Sequence, residues 1–135
     1  GCLLTDPAYG KRLRELRRHE GVRNIAAIQL LRVGRHFRLG KNKLIVGRNQ
    51  KENEFLERAR DDKTTLLKTM SVPGPAAVIP VSAVEEELML AAAICARYSD
   101  HRTNELVLIE INDGKNTRMF ETLPAEQSAI DALRI

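Results

Sequence analysis

"GRHFRLGKNKLIVGRN", residues 34–49, decides the reading of this chain. Phe37 and Leu39 alternate with His36 and Arg38, the period-two signature of a strand with one face inward. Lys43–Val46 reads as a second strand, and Gly40-Lys41-Asn42 supplies the turn between them. A hairpin is therefore predicted, with Phe37 and Leu39 toward the core and His36 and Arg38 on the other face. The stretch also holds Arg35, Arg38, Lys41, Lys43 and Arg48, with His36 as a part-time cation, and no acid.

Working outward, helices and hairpins alternate. Asn49 followed three residues on by Glu52 forms a capping box. It opens a helix to about Asp61, with Phe55, Leu56 and Ala59 on its buried side. Thr64–Ser71 and Ala76–Val81 read as strands around the stiff turn Val72-Pro73-Gly74-Pro75. Ser82 and Glu85 make a second capping box for a central apolar helix from about Ala83 to Ser99. "ELVLIEI" (105–111), "NDGK" (112–115) and Thr117–Thr122 predict another hairpin. Pro124 opens a last helix with Ile130 and Leu133 inward. Toward the start, Asp6-Pro7 is a helix-start signal and Gly21 a stop. "NIAAIQLLRVG" (24–34) is open between helix and strand, with helix favoured. The fold class is α+β, a mixed or antiparallel sheet built from hairpins with about four helices.

At 135 residues the chain has the size of one ordinary domain, and 43% hydrophobic content is enough for a core, which argues against wholesale disorder. The longest apolar run, Leu88–Ala96, is far shorter than the ~20 residues that span a bilayer, so no membrane partner is expected. Cys2 and Cys95 form no CxxC pair, which points to a reducing, cytoplasmic setting. No phosphate-binding GxxxxGK[ST] loop, GxGxxG or SGGxDS segment is present, and no serine sits in a GxSxG turn. His19, His36 and His101 are scattered, so no metal ligand set is expected.

Charge is the more informative signal. Residues 1–60 carry 15 Lys and Arg against 6 Asp and Glu, and residues 61–135 carry 7 against 12. A basic half joined to an acidic half suits a surface facing a polyanion, because phosphate backbones are bound through Lys and Arg. Lys11, Arg14 and Arg18 fall within a ~60° arc of the first helix and offer a basic ridge. The expected RNA-binding set is Lys11, Arg14, Arg18, Arg35, His36, Arg38, Lys41, Lys43, Arg48 and Asn49. A solvated face that only aids solubility is the plain alternative. For Arg48 the alternative is an ion pair fixing the strand–helix corner, for Asn49 simple capping, and for Phe37 core packing. Cys95 lies on an apolar helix and reads as core.

Several of these words also occur together elsewhere. "GCLLTDPAYGKRLREL", "GRHFRLGKNKLIVGRNQKENEFLERA" and "VPGPAAVI" resemble the C-terminal region of bacterial PP-loop, ThiI-like or tRNA thiouridylase-like (thiouridylate methyltransferase-like) proteins. That region is similar to NFACT-R, the RNA-binding domain of ribosome quality-control NFACT proteins. The resemblance rests on Val46-Gly47-Arg48-Asn49, Asn53, Pro73-Gly74, Ala91-Ala92-Ala93 and Tyr98-Ser99, over about residues 34–120. Quality-control members carry an Asp-Trp and a His before the PG turn, where this chain has Asp61, Asp62 and Thr64–Lys68. The thiouridylase-linked subfamily is the better fit.

The resemblance implies a piece of a longer protein, in keeping with a first residue that is not Met; processing at Gly1 is the other explanation. Residues 1–24 would then be a linker helix after a PP-loop ATPase domain, and residues 25–135 the NFACT-R-like domain. It implies a tRNA-binding (or other structured-RNA-binding) accessory role in uridine thiolation, with no catalysis and no cofactor within these residues. ATP would belong to the PP-loop domain. That domain and a sulfur-donor protein are the implied protein partners, and Cys2 is an implied sulfur-relay thiol. A module that docks the PP-loop domain or the sulfur donor is the alternative function.

Overall fold

Alternation of side chains across the pleat dictates the architecture. The computed structural model describes residues 11–12 and 31–135. Over them run β1 (Arg35–Leu39), β2 (Asn42–Val46), α1 (Gln50–Ala59), β3 (Thr64–Thr69), β4 (Ala76–Pro80), α2 (Glu85–Arg97), β5 (Val107–Asn112), β6 (Thr117–Thr122) and α3 (Gln127–Leu133). The strands form one six-stranded sheet in the order β1-β2-β4-β3-β5-β6, antiparallel at every pairing.

Both faces of the sheet are covered, by different helices. Phe37, Leu39, Leu44, Val46, Leu67, Ala77, Ile79, Val107, Ile109 and Ile111 point to one face. There they meet Ala91, Ala92, Ile94, Cys95 and Ala96 of α2 and Ile130 of α3. Ile45, Leu66, Ala76 and Val78 point to the other face, against Leu56 of α1 and Val33. Odd and even positions of β2, β3 and β4 are thus both apolar, which is why these central strands read as continuous apolar runs rather than alternating ones. β5 lies beyond the reach of α1 and alternates strictly between buried and half-exposed residues.

Turn chemistry sets the registers. Leu39 pairs with Asn42, so the first hairpin closes on Gly40-Lys41 alone. Gly40 has φ +62° while Lys41 is not among the residues with positive φ, the geometry in which glycine is required at the first loop position. The second hairpin closes at Asn112 and Thr117. Asp113 Oδ1 accepts the amides of Lys115 (2.9 Å) and Asn116 (2.7 Å) within its loop.

Several expectations are corrected. Among the described residues there are three helices rather than about four. The predicted helices over 7–21 and 24–34 lie largely outside the described residues; Lys11 and Arg12 are helical, and residues 31–34 form a turn. α1 stops at Ala59, and only Leu56 of its three expected core residues is buried, with Phe55 half-buried and Ala59 exposed. The Ser82 capping box does not form: α2 begins after Val84, whose amide donates to Glu87 Oε1 (3.1 Å). Ser82 instead donates its hydroxyl to Asn42 Oδ1 (2.9 Å), across 40 residues.

Leu56 is the fully buried side chain by which α1 seats on the sheet. Leu56→Ala should cost about 2–5 kcal/mol, read as a lower urea midpoint with an unchanged slope. A loss under about 0.5 kcal/mol would show that α1 is not anchored there.

Candidate nucleic-acid interface

The corner where β2 becomes α1 is built from a few polar contacts. Asn49 caps α1 by accepting the Glu52 amide on Oδ1 (2.9 Å). Glu52 does not return the bond to Asn49, as a full capping box would. Its Oε1 accepts the amide and Nε of Arg48 (2.9 Å each), and its Oε2 accepts Arg48 Nη2 at 2.7 Å and the amide of Gly34 at 3.1 Å. This hydrogen bonding, led by the Arg48 guanidinium, pulls the Glu52 carboxyl down to about 2.

Next to that corner Gly47 must be glycine. A Cβ there would lie 2.0 Å from Asn53 Oδ1. That same Asn53 oxygen accepts the Ala76 amide at 3.1 Å, while Gly47 N–H donates to the Ala76 carbonyl at 2.9 Å. The Pro73-Gly74-Pro75 loop is thereby held over α1. Gly74 meets the same constraint on its other side, where a Cβ would fall 2.7 Å from the Ser99 Cβ. Asp100 N–H donates to the Pro73 carbonyl at 2.8 Å, which ties the end of α2 to the loop.

Between these pieces lies an open groove of about 400 Å³ lined by Arg35, Gly47–Gln50, Asn53, Pro73–Pro75, Tyr98 and Asp100. Arg35 is stacked there, with its Cζ 4.2 Å from the centre of the Tyr98 ring. Phe37 backs Tyr98 with ring centroids 6.2 Å apart. Partial burial lowers the Arg35 pKa, yet an arginine stays charged. Glu52 neutralises Arg48, although 45% of that side chain is exposed.

The expected basic set is divided by the fold. Arg35, Arg48 and Asn49 meet at the groove. Arg38 and Lys41 belong to the far end of the hairpin, where Arg38 Nη1 donates to the Lys41 carbonyl at 3.0 Å. That end lies beside Glu87, the acceptor of Asn42 Nδ2 at 2.9 Å. His36 and Lys43 are corrected outright as surface cations. His36 is 0% and Lys43 8% exposed, and His36 Nε2 lies 2.8 Å from the Val33 carbonyl. Alternation placed His36 on the second face, which Lys43 shares through its pairing with Arg38, but that face is covered here as well. Lys11 is exposed; Cys2, Arg14 and Arg18 lie outside the described residues. Phe37 is core, at 0% exposure. Cys95 is buried, and desolvation pushes its thiol up to about 12.

A charge-based reading missed Gln50, Asn53, Tyr98, Asp100 and the Pro73–Pro75 loop as groove residues. The signal for several of them was the motif set: Gly47-Arg48-Asn49, Asn53, Pro73-Gly74 and Tyr98 come from three distant segments and line one groove.

The stability of the corner should follow Glu52. Its folded pKa lies below the ordinary 4.5, so its contribution is complete above pH ~4.5 and is lost as pH falls toward 2. Glu52→Gln should lower stability at neutral pH by about 1–2 kcal/mol and flatten the denaturation profile between pH 4.5 and 2. An unchanged pH profile would contradict the assigned ion pair.

Comparison with known proteins bears on the fold and the family. No curated protein matches the chain. Among solved structures it is similar to the C-terminal part of the fibronectin/fibrinogen-binding protein from Streptococcus suis, with TM-score 0.68 and 17% sequence identity. The likeness covers 97% of this chain and 63% of that one, so this chain spans less than two thirds of its structural relative. At that identity the likeness is one of fold. The family is fixed by sequence: residues 34–134 match the NFACT protein RNA binding domain, and the chain belongs to that family.

Proposed function

We propose that this domain binds structured RNA in the groove between Arg35, the α1 N-terminus and the Pro73–Pro75 loop. The observation that carries the proposal is convergence: motif residues from separate segments of an RNA-binding family line one concave surface. The chemistry fits that ligand. The Arg35 guanidinium, already stacked on Tyr98, loses little freedom when its outer face meets a base or a phosphate. The first amides of α1, at Gln50 and Lys51, are not used by the Asn49 cap, and a helix N-terminus favours phosphate. Asn49, Gln50 and Asp100 add polar groups able to read ribose or base edges. Arg48 holds the corner through Glu52 and contributes position more than charge.

The narrower reading takes tRNA as the RNA and a uridine-thiolating, ATP-using PP-loop enzyme as the whole protein, with Cys2 in sulfur relay and a sulfur-donor protein as partner. The sequence resemblance supports it; the family match extends to the RNA-binding domain and no further. Its test is thiolation by the full-length protein, which Cys2→Ser should abolish while RNA binding persists.

The groove and the hairpin tip are separated by single-charge variants. In fluorescence anisotropy with tRNA, Arg35→Ala should weaken binding roughly tenfold, the loss of about 1.4 kcal/mol. Arg38→Ala and Lys41→Ala, which remove the same charge away from the groove, should change it less than about twofold. Equal losses at all three positions would return the site to the hairpin as a whole.

A further inference from the structure

We propose that the edge strand β6 is a docking site for an extended protein segment whose basic and apolar side chains alternate along one face, bound as a seventh strand. The sheet has two edges, and the fold treats them differently. β1 is blunted by residues 134–135: Phe37 bridges to Arg134, and the Ile135 amide donates to the His36 carbonyl at 2.9 Å. Beyond β6 no described residue pairs, and its six residues are exposed or half-exposed throughout. An edge of that length with no cover among the described residues is what native folds usually avoid unless it is used.

The backbone identifies the residues that offer hydrogen bonds. The Leu108 carbonyl accepts the Met70 amide at 2.8 Å, and the Leu108 amide donates to Ser71 Oγ at 3.0 Å. Leu108 therefore turns its backbone groups away from β6. By antiparallel alternation its partner Glu121, and then Met119 and Thr117, turn theirs outward to the free edge. The same three residues point their side chains to the sheet face that α1 leaves open. Met119 lies opposite Glu110, and Glu121 opposite Leu108. Met70 and Met119 there are 46% and 52% exposed.

The charge on this face selects the occupant. Two cations reach this face and both are held: Lys68, paired across from Glu110, by Glu57 at 2.9 Å, and Arg60 by Asn112 Oδ1 at 3.0 Å. On the opposite face, Arg118 is held by Glu85 at 2.8 Å. Glu110 and Glu121 have no salt bridge among the described residues. An incoming strand thus meets a methionine and a carboxylate two residues apart on one face, and complements them with an apolar and a basic side chain at the same spacing. RNA is repelled by the two carboxylates, so this edge is separate from the groove.

The test uses the ¹⁵N-labelled full chain and three short, end-blocked peptides. The first repeats Val-Thr-Lys-Thr, so that Val and Lys alternate along one face, the second repeats Val-Thr-Glu-Thr, and the third is the Val-Lys peptide N-methylated at every second residue. The Val-Lys peptide should shift the amide resonances of residues 117–122 and slow hydrogen exchange at Thr117, Met119 and Glu121. The other two peptides should do neither. Glu121→Lys, whose folding is verified from its own spectrum, should weaken binding roughly fivefold, the worth of a cross-strand charge pair, and leave tRNA affinity unchanged. The proposal is overturned if the Val-Lys peptide leaves β6 unperturbed, or if the Val-Glu or methylated peptide binds as well. Concentration-dependent β6 shifts without peptide would overturn it in favour of a second copy of this chain. A change of tRNA affinity in either direction in Glu121→Lys would place RNA at this edge instead.

Discussion

The Glu52 carboxylate is the contact on which the rest of the site depends. It accepts the Gly34 amide ahead of β1, the Arg48 amide after β2, and the Arg48 guanidinium, so one side chain joins the two ends of the first hairpin to the first turn of α1. Asn49 and Asn53 complete the corner, and Asn53 passes it on to β4 through the Ala76 amide. A charged acceptor with several donors holds its geometry better than neutral bonds would. The consequence for function is indirect. By taking the charge of Arg48, Glu52 leaves Arg35 as the groove cation with no carboxylate partner among the described residues.

That division revises how RNA affinity should arise. A row of like charges along a hairpin would bind mainly by counterion release, with steep salt dependence. Here the hairpin cations are shared out. Arg38 and Lys41 lie near the α2 N-terminus, at the opposite end of a thirteen-residue helix from Tyr98, and His36 and Lys43 are buried. If RNA binds in the proposed groove, stacking on the Arg35–Tyr98 pair and hydrogen bonds from the α1 corner would carry more of the recognition than charge. Such contacts favour splayed bases and turns of structured RNA over uniform duplex.

Local patterns made much of the fold legible. Gly40 and the Asn112–Lys115 turn fixed both hairpins, and Asn49 marked the start of α1 correctly. What failed were inferences needing knowledge of what lies across the fold. Period two assigned His36 and Arg38 to a face but not what would cover it, and Lys43, paired with Arg38, shares that face. Ser82 had the right spacing for a cap, yet Asn42, forty residues away, offered its hydroxyl a better partner. Glu52 was recognised as half of a capping box, while its actual partners, Arg48 and Gly34, are set by the hairpin closing beside it. The site was the hardest part, because charge density pointed to the hairpin as a unit. The groove is instead made by long-range pairing that brings the β3–β4 loop and the end of α2 to one end of β1.

Placing recognition at both margins of one rigid sheet has a mechanical consequence. β1 and β6 are the two outer strands of the order β1-β2-β4-β3-β5-β6, roughly 24 Å apart at ~4.8 Å per strand. The groove opens at the β1 side, with Tyr98 and Arg35, whereas the carboxylates Glu110 and Glu121 lie at the β6 side, so an RNA and a basic protein segment need not compete for space. On these two proposals the charge asymmetry is divided across the fold: Arg35 and Arg48 of the basic half face the groove, and Glu110 and Glu121 of the acidic half lie at the β6 side. Because both strands belong to one continuous hydrogen-bonded sheet with a common core, occupants of the two margins would be held at a fixed spacing. The domain would then serve as a rigid spacer between an RNA and a basic protein.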